Sequence, residues 1–251
     1  MRPQLIAELE ALLGPKAVLS APEDLMLYEY DGSVELGSPR CVVFPSSTKD
    51  VAGIVRLANR YETPIIGRGA GTGLSGGAIA RSGGIVIAFS RMNRVLEVDA
   101  ANLRAVVQPG VVNLDLSRAV EHLGLYFAPD PSSQKSCTIG GNVSENSGGP
   151  HTLAYGVTAN HVTGLELVLP DGEIVRIGGK SVETSGYDLC GLLVGSEGTL
   201  ALVTEITVRL MRKPEAVKTL LAVYDTLDDT TESVVEITVR AITPAACEML
   251  D

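Results

Sequence analysis

Residues Ile65 to Ala78 read IIGRGAGTGLSGGA, six glycines in fourteen positions after two β-branched residues. Glycines spaced in this way leave successive main-chain N–H groups unhindered, and such a nest holds a pyrophosphate without a helix dipole. Gly71-Thr72-Gly73-Leu74-Ser75-Gly76 also fits G-x-G-x-x-G, the Rossmann dinucleotide fingerprint. That fingerprint needs a long helix directly after the glycines, because the pyrophosphate sits on its N-terminus. Here the chain continues Ile79-Ala80-Arg81-Ser82-Gly83-Gly84, turn-rich and without helical period, and then enters strands. Glu97 or Asp99 would be the ribose-binding acid of a Rossmann unit, but the helix on which that geometry depends is missing. The match fails its context test. What remains is a glycine loop, Arg68 to Ser75, built for a different phosphate-binding fold.

A second stretch, PDPSSQKSCTIGGNVSENSGG (Pro129 to Gly149), adds hydroxyls, amides and the close-approach pair Gly140-Gly141. Loops longer than about 12–15 residues without their own secondary structure are uncommon and usually functional. Flexible linkers rarely carry apolar insertions such as Cys137-Thr138-Ile139 and Val143. The other reactive side chains are less informative. Cys41, Cys137, Cys190 and Cys247 make no C-x-x-C pair, and His122, His151 and His161 show no ligand spacing, so no metal site is expected.

The elements that must position these loops follow from apolar spacing. Leu5, Ile6, Leu9, Leu12 and Leu13 predict a helix over residues 3–13. Cys41 to Phe44 reads as a strand stopped by Pro45. Ser47 or Thr48 caps a helix whose apolar face is Val51, Ile54, Val55, Leu57 and Ala58. Pro64-Ile65-Ile66 is a second strand, completing a βαβ unit whose crossover is expected to be right-handed. Further strands are predicted at Ile85–Phe89, Val95–Val98 and Ala105–Val107, then a helix from Leu114 to Leu123. A hairpin joins Val162–Leu169 to Ile174–Ile177 through Pro170-Asp171-Gly172, and a last strand runs from Leu202 to Leu210. The layout is two α+β lobes, split near Pro109 to Asn113, with the glycine loops facing each other.

A formal net charge of −10 gives no basic stripe for nucleic acid and disfavours adsorption to an anionic membrane. No run approaches the roughly 18–20 apolar residues of a spanning helix. Glu8 and Glu10 interrupt the segment in which a signal peptide would be unbroken, so a cytoplasmic location is expected.

Six segments in order carry a resemblance. They are PSSTKDV (Pro45 to Val51), IIGRGAGTGLSGGA, QPGV (Gln108 to Val111), CTIGGNVSENSGG (Cys137 to Gly149), YGVTANHV (Tyr155 to Val162) and GSEGTLALVTEITVRL (Gly195 to Leu210). Together they resemble the FAD-binding, PCMH-type domain of the vanillyl-alcohol-oxidase-type flavoproteins, nearest to the glycolate oxidase D-subunit and the D-lactate and D-2-hydroxyglutarate dehydrogenases. The similarity runs from Tyr28-Glu29-Tyr30-Asp31-Gly32 to about Pro214.

The resemblance implies an α+β, two-lobed FAD domain followed by the start of an α+β substrate cap. The expected division is an N-terminal helical segment (1–38), the FAD domain (39–215, lobes 39–110 and 111–215) and an incomplete cap (216–251). In that cap, Val217 to Tyr224 would be a strand and Thr230 to Arg240 a helix. The implied cofactor contacts are Pro45; Arg68, Gly69, Ala70, Gly71, Thr72, Gly73, Leu74 and Ser75; Pro109 and Gly110; Pro129, Asp130, Ser132 and Ser133; Cys137, Thr138, Gly140, Gly141, Asn142, Ser144, Glu145, Asn146, Gly148 and Gly149; Tyr155 and Gly156; and Glu197, Gly198 and Val203.

Members with covalent flavin have histidine where this chain has Thr72, so the FAD is expected to be non-covalent. Relatives often carry lysine where Ala154 stands, which leaves any charge role of that lysine unfilled. The implied reaction is oxidation of a small 2-hydroxy acid, glycolate or D-lactate, with a possible iron–sulfur or second flavin subunit and possible attachment to the inner face of a membrane through a partner. The alternative is a flavin module that relays electrons without substrate chemistry. Relatives place the base and any metal ligands beyond the flavin domain, so no catalytic residue is assigned and this chain alone is expected to be inactive.

Overall fold

The computed structural model describes residues 2–180 and 186–250. The first lobe contains α1 (Arg2–Leu13), β1 (Val18–Leu19), α2 (Pro22–Leu25), β2 (Cys41–Val43), α3 (Thr48–Arg60), β3 (Ile65–Arg68) and β4 (Ile85–Ala88). Its sheet has the order β1-β2-β4-β3, with β2, β4 and β3 parallel and β1 antiparallel on the edge. Parallel strands are covered on both faces and read as unbroken apolar runs. Accordingly Cys41, Val43, Ile85 and Ile87 pack under α3, while Val42, Val86 and Ala88 pack with Leu25 and Ala80 on the reverse face.

Ser47 starts α3 with a capping box. Its hydroxyl accepts from Asp50 N, and the Asp50 carboxylate accepts from Ser47 N. That arrangement satisfies donors a helix N-terminus otherwise leaves orphaned.

The second lobe contains β5 (Val95–Asp99), β6 (Arg104–Val107), α4 (Asn113–Val120), β7 (Leu125–Tyr126), α5 (Ile139–Glu145), α6 (Thr152–Tyr155), β8 (Val162–Val168), β9 (Ile174–Gly178), α7 (Leu189–Leu193), β10 (Leu202–Arg209) and β11 (Met211–Arg212). Its main sheet, β5-β6-β10-β8-β9, is antiparallel throughout. Burial alternates along β10, as it should where one face meets a core and the other is more open. Ile206 and Val208 pack there with Val107, Leu165, Leu167, α4 and the α5 residues Ile139 and Val143. Helix α8 (Leu227–Val239) follows, with no buried residue. Among the described residues no helix is long and apolar enough to cross a membrane.

Residues 1–38, the expected N-terminal helical segment, pack into the first lobe: Leu5 and Leu9 of α1 enter its core, and β1 pairs with β2. Three expectations are corrected. The lobe boundary lies at the short 3-10 turn Phe89–Arg91 and not near Pro109, because β5 and β6 hydrogen-bond into the second sheet through the pairing of β6 with β10. The second glycine stretch holds a helix of its own, α5, started by the Thr138 side chain and pinned by buried Ile139 and Val143. Val217 to Tyr224 is not a strand, because it has no ladder partner among the described residues and stands exposed.

Candidate functional site

Between the lobes lies a cleft of about 450 Å³, lined by the first glycine loop on one side and by α5, the Pro131–Ser133 turn and the Glu197–Gly198 turn on the other. The volume falls within the range of roughly 300–1,000 Å³ usual for ligand sites.

The glycine loop leaves the end of β3, where Arg68 is buried. Its guanidinium lies 5.5 Å from the Tyr28 ring centroid, and Nη1 points at Ala78 O at 3.5 Å. Burial lowers the pKa of Arg68, opposed by the nearby Asp31 carboxylate. The loop therefore wraps around a buried cation. Gly71 is fixed by that arrangement: its φ is +71°, and a β-carbon there would sit 2.4 Å from Arg68 Nη2.

Among the described residues, none accepts a hydrogen bond from the main-chain N–H of residues 70–78. Seven of these nine residues, Ala70 to Leu74 with Gly77 and Ala78, line the cleft. A run of free donors along such a wall is an anion nest.

Helix α5 faces the nest but is not itself one. Ile139 N donates to Val111 O, Gly140 N to Pro109 O and Gly141 N to the Thr138 hydroxyl, so its first-turn donors are already engaged. The two glycines divide their tasks. A β-carbon on Gly140 would lie 2.5 Å from Pro109 Cβ, whereas one on Gly141 would meet only Thr138 Oγ1 at 3.4 Å. Gly140 serves packing, and Gly141 leaves the cleft open.

Among the described residues, two buried polar atoms in the lining have no nitrogen or oxygen partner, Asp31 Oδ2 and Asn142 Nδ2. Asp31 is held by Ser33 N on its other oxygen at 2.7 Å. It reaches the cleft because Gly32 lies against the carbonyls of Thr72 and Gly73, where a β-carbon would come within 2.9 Å of both. Beside Asn142 stands the Cys137 thiol, a weak acceptor. Burial raises the pKa of that thiol, while hydrogen bonding to Ser133 and Asn142 acts against it, so Cys137 is no thiolate nucleophile. Buried polar groups ordinarily find partners. Orphans of opposite hydrogen-bonding sense inside one cleft fit a ligand that is both donor and acceptor.

The Glu197–Gly198 turn is fastened to α5 by Gly195 N to Val143 O and Glu197 N to Ser144 O. Glu197 adopts a left-handed backbone, φ +53°. For a residue with a β-carbon this costs roughly 1–2 kcal/mol, and such strain concentrates at functional sites.

Most residues carried by the resemblance converge on the cleft: Arg68 to Leu74, Pro109, Ser132, Ser133, Cys137, Thr138, Gly140 to Asn142, Ser144 to Asn146, Gly148, Glu197, Gly198 and Val203 all line it. The remaining residues lie outside the lining. Gly110 packs on Phe89, where a β-carbon would strike the carbonyl. Pro129 O accepts from Asn113 Nδ2, Asp130 binds His151 Nδ1 at 2.6 Å, and Gly149 is pressed against Asp130. Tyr155 bonds through its carbonyl to His161 and stacks on His151. Pro45, Gly156 and Ser75 also stand off the lining, although the Ser75 hydroxyl bonds to Glu145.

Sequence reasoning missed Asp31, Gly67, Gly77, Ala78, Phe89, Pro131, Ser147, Ala201 and Leu202. Gly67, Gly77, Ala78, Pro131, Ser147, Ala201 and Leu202 lie within the segments already singled out, and Asp31 within the YEYDG stretch where the resemblance begins; Phe89 alone carried no site signal.

Two α+β lobes closing on a nest of free N–H groups fit a phosphate-bearing cofactor held without the helix of a Rossmann fold. The chain belongs to the FAD binding domain family, whose model matches residues 39–178. It is 47% identical over 240 residues to the glycolate oxidase subunit GlcD of Bacillus subtilis (strain 168), covering 95% of this chain and 51% of that protein. It is 36% identical over 252 residues to the D-lactate dehydrogenase of Anaerostipes hadrus, covering 99% and 53% respectively. Its fold matches the crystal structure of p-cresol methylhydroxylase with a TM-score of 0.82 at 22% identity, over 94% of this chain and 48% of that one. The chain spans about half the length of the curated relatives it matches. FAD is the cofactor of this family, and the free nest with the unpaired Asp31 and Asn142 atoms fits it.

Proposed function

We propose that this chain is the flavin-binding half of an oxidoreductase that converts a small 2-hydroxy acid, glycolate or D-lactate, to the 2-oxo acid, with FAD held non-covalently. The observation that carries the reading is the cleft itself, with its run of unpaired N–H groups at residues 70–78 opposite α5. The names of the relatives, a glycolate oxidase subunit and a D-lactate dehydrogenase, supply the substrate class. Bound FAD supplies the acceptor for the hydride leaving C2 of the hydroxy acid.

This chain's own residues bind and orient. The nest takes the pyrophosphate, the Arg68 cation lies at its base, and Asp31 and Asn142 offer an acceptor and a donor. Thr72 has no nucleophilic ring nitrogen and leaves the flavin unattached. Residues 216–251 begin a cap that completes the substrate site, and a partner subunit passes the electrons onward.

Anaerobic spectroscopy tests this. Protein of the relatives' full length carrying this sequence is expected to lose its flavin absorbance with glycolate or D-lactate. A flavin that stays oxidised with both acids contradicts the substrate class and favours an electron-relay module.

A further inference from the structure

Three carboxylates, Asp31, Glu145 and Glu197, line the cleft, and Arg68 is the one cation among the described lining residues. Asp31 is the carboxylate that most favours the Arg68 charge, against the larger effect of burial. Among the described residues no cation pairs with Glu145 or Glu197, yet both abut the glycine nest. A β-carbon on Gly77 would lie 3.3 Å from Glu145 Oε1 and 3.7 Å from Glu197 Oε2, and one on Gly73 would lie 3.5 Å from Glu145 Oε1. The nest that should accept a pyrophosphate is therefore bordered by acids. Two ionised carboxylates beside a doubly charged ligand would repel it in a partly desolvated site, where Coulomb interactions are strong.

We propose that Glu145 binds the cofactor pyrophosphate as a neutral carboxylic acid, donating its proton in a hydrogen bond to a phosphate oxygen. The inference rests on the FAD reading above and assigns a protonation state within it. A protonated carboxyl is a donor, and a buried carboxylic acid held neutral near pH 7 is an established catalytic device.

The surroundings of Glu145 favour the neutral form. Burial raises its pKa first, then the charges of Glu197 and Asp31, while only the Ser75 hydroxyl bond opposes them. These groups belong to the three segments that face it: Glu197 from the turn before β10, Asp31 from the segment under the loop, and Ser75 from the loop. Arg68 is the cation of the lining, and Asp31 favours its charge. A bound pyrophosphate adds negative charge and raises the pKa of Glu145 further, so linkage requires proton uptake on binding wherever free Glu145 is partly ionised.

The test is calorimetric titration of the flavin-free 251-residue chain with FAD from pH 5 to 9, in two buffers of different ionisation heat. Wild type is expected to take up as much as one proton, and Kd to weaken by up to about tenfold per pH unit over the range in which free Glu145 ionises. Glu145→Gln, a permanent neutral donor, is expected to keep the tight affinity and flatten the profile. Glu197→Gln, which removes a like charge, is expected to move the profile to lower pH. Proton-free, pH-independent binding by wild type would overturn the proposal. So would loss of binding in Glu145→Gln with its circular dichroism unchanged, because the amide keeps a neutral donor in the same place. A folded wild type that binds no FAD at any pH refutes the cofactor reading instead.

Discussion

The hydroxyl of Thr48, in the first turn of α3, donates a 2.5 Å hydrogen bond to Glu166 Oε1 on β8. The bond crosses from the first lobe to the second. Glu166 is buried and also accepts from Thr204 Oγ1 and Arg176 Nη2. Further along α3, Arg56 donates to Gly172 O and Asn59 to Pro170 O, both in the β8–β9 turn. One helix thus sets the separation of the lobes and with it the width of the cleft. Thr48→Val leaves a buried carboxylate one partner short, an expected loss of about 1 kcal/mol, at the low end because two partners remain. Thr48→Ser should restore it. Urea unfolding measures both, and equal stability of all three proteins would contradict the inter-lobe role.

Neighbouring glycines of α5 are expected to respond differently. Gly140→Ala drives a β-carbon to 2.5 Å from Pro109 Cβ and 2.9 Å from Pro109 O, and backbone gives way poorly. A loss of about 1–3 kcal/mol follows from overpacking. Gly141→Ala meets only a hydroxyl at van der Waals distance and removes a helix-weakening glycine, so stability should hold or rise by up to about 1 kcal/mol. Gly141→Val should fold and lose flavin. Thermal melts with flavin occupancy separate the two roles; equal destabilisation by both alanines would refute the division.

His161 makes stability depend on pH. It is buried, its Nε2 lies 2.8 Å from Tyr155 O as the donor of a neutral ring, and Nδ1 has no partner among the described residues. Burial, with a smaller push from Arg209, holds its pKa below the ordinary value against the pull of the Tyr155 bond. The unfolded chain therefore binds the proton more readily. This contribution is present above the unfolded histidine pKa of about 6.5 and is lost as pH falls from there through the folded value. His161→Gln is expected to reduce the fall in denaturation free energy between about pH 6.5 and pH 5. An unchanged slope would show that the ring is charged in the fold.

Protease sensitivity should concentrate after the second sheet. Val217, Leu220, Leu221 and Val223 are 77–92% exposed, and α8 buries no residue. The last ladder pairing of the lobes ends with Arg212 on β11. Limited proteolysis is expected to cut between about Glu215 and Thr226 and leave the flavin bound. First cuts inside residues 39–178, or release of flavin on trimming, would contradict an independent flavin domain.

The sequence made the parallel first sheet and α3 legible because apolar runs and the Ser47 cap are local signals. It misplaced the lobe boundary because β6 reads as the next strand of the first lobe, while its partner β10 lies about 100 residues later. Helix α5 was hidden by its own glycines: Gly140 and Gly141 look like a flexible turn, and only contact with Pro109 shows that one of them lets a helix approach a strand end. Val217 to Tyr224 has strand composition, but strand formation needs a neighbour that the described residues do not provide. In the site, the glycine loop announced itself by composition. Asp31 was marked only by the start of the resemblance, since its place in the cleft depends on Gly32 lying against the carbonyls of Thr72 and Gly73.

The most direct measurement is the absorbance spectrum of the purified chain, reconstituted with FAD and freed of excess, before and after acid precipitation. A flavin spectrum on the protein, with all the colour passing to the supernatant as FAD, is the expected result for a nest that binds pyrophosphate through main-chain N–H groups beside Thr72. A folded protein that stays colourless would contradict the cofactor assignment, and colour retained in the pellet would contradict non-covalent binding.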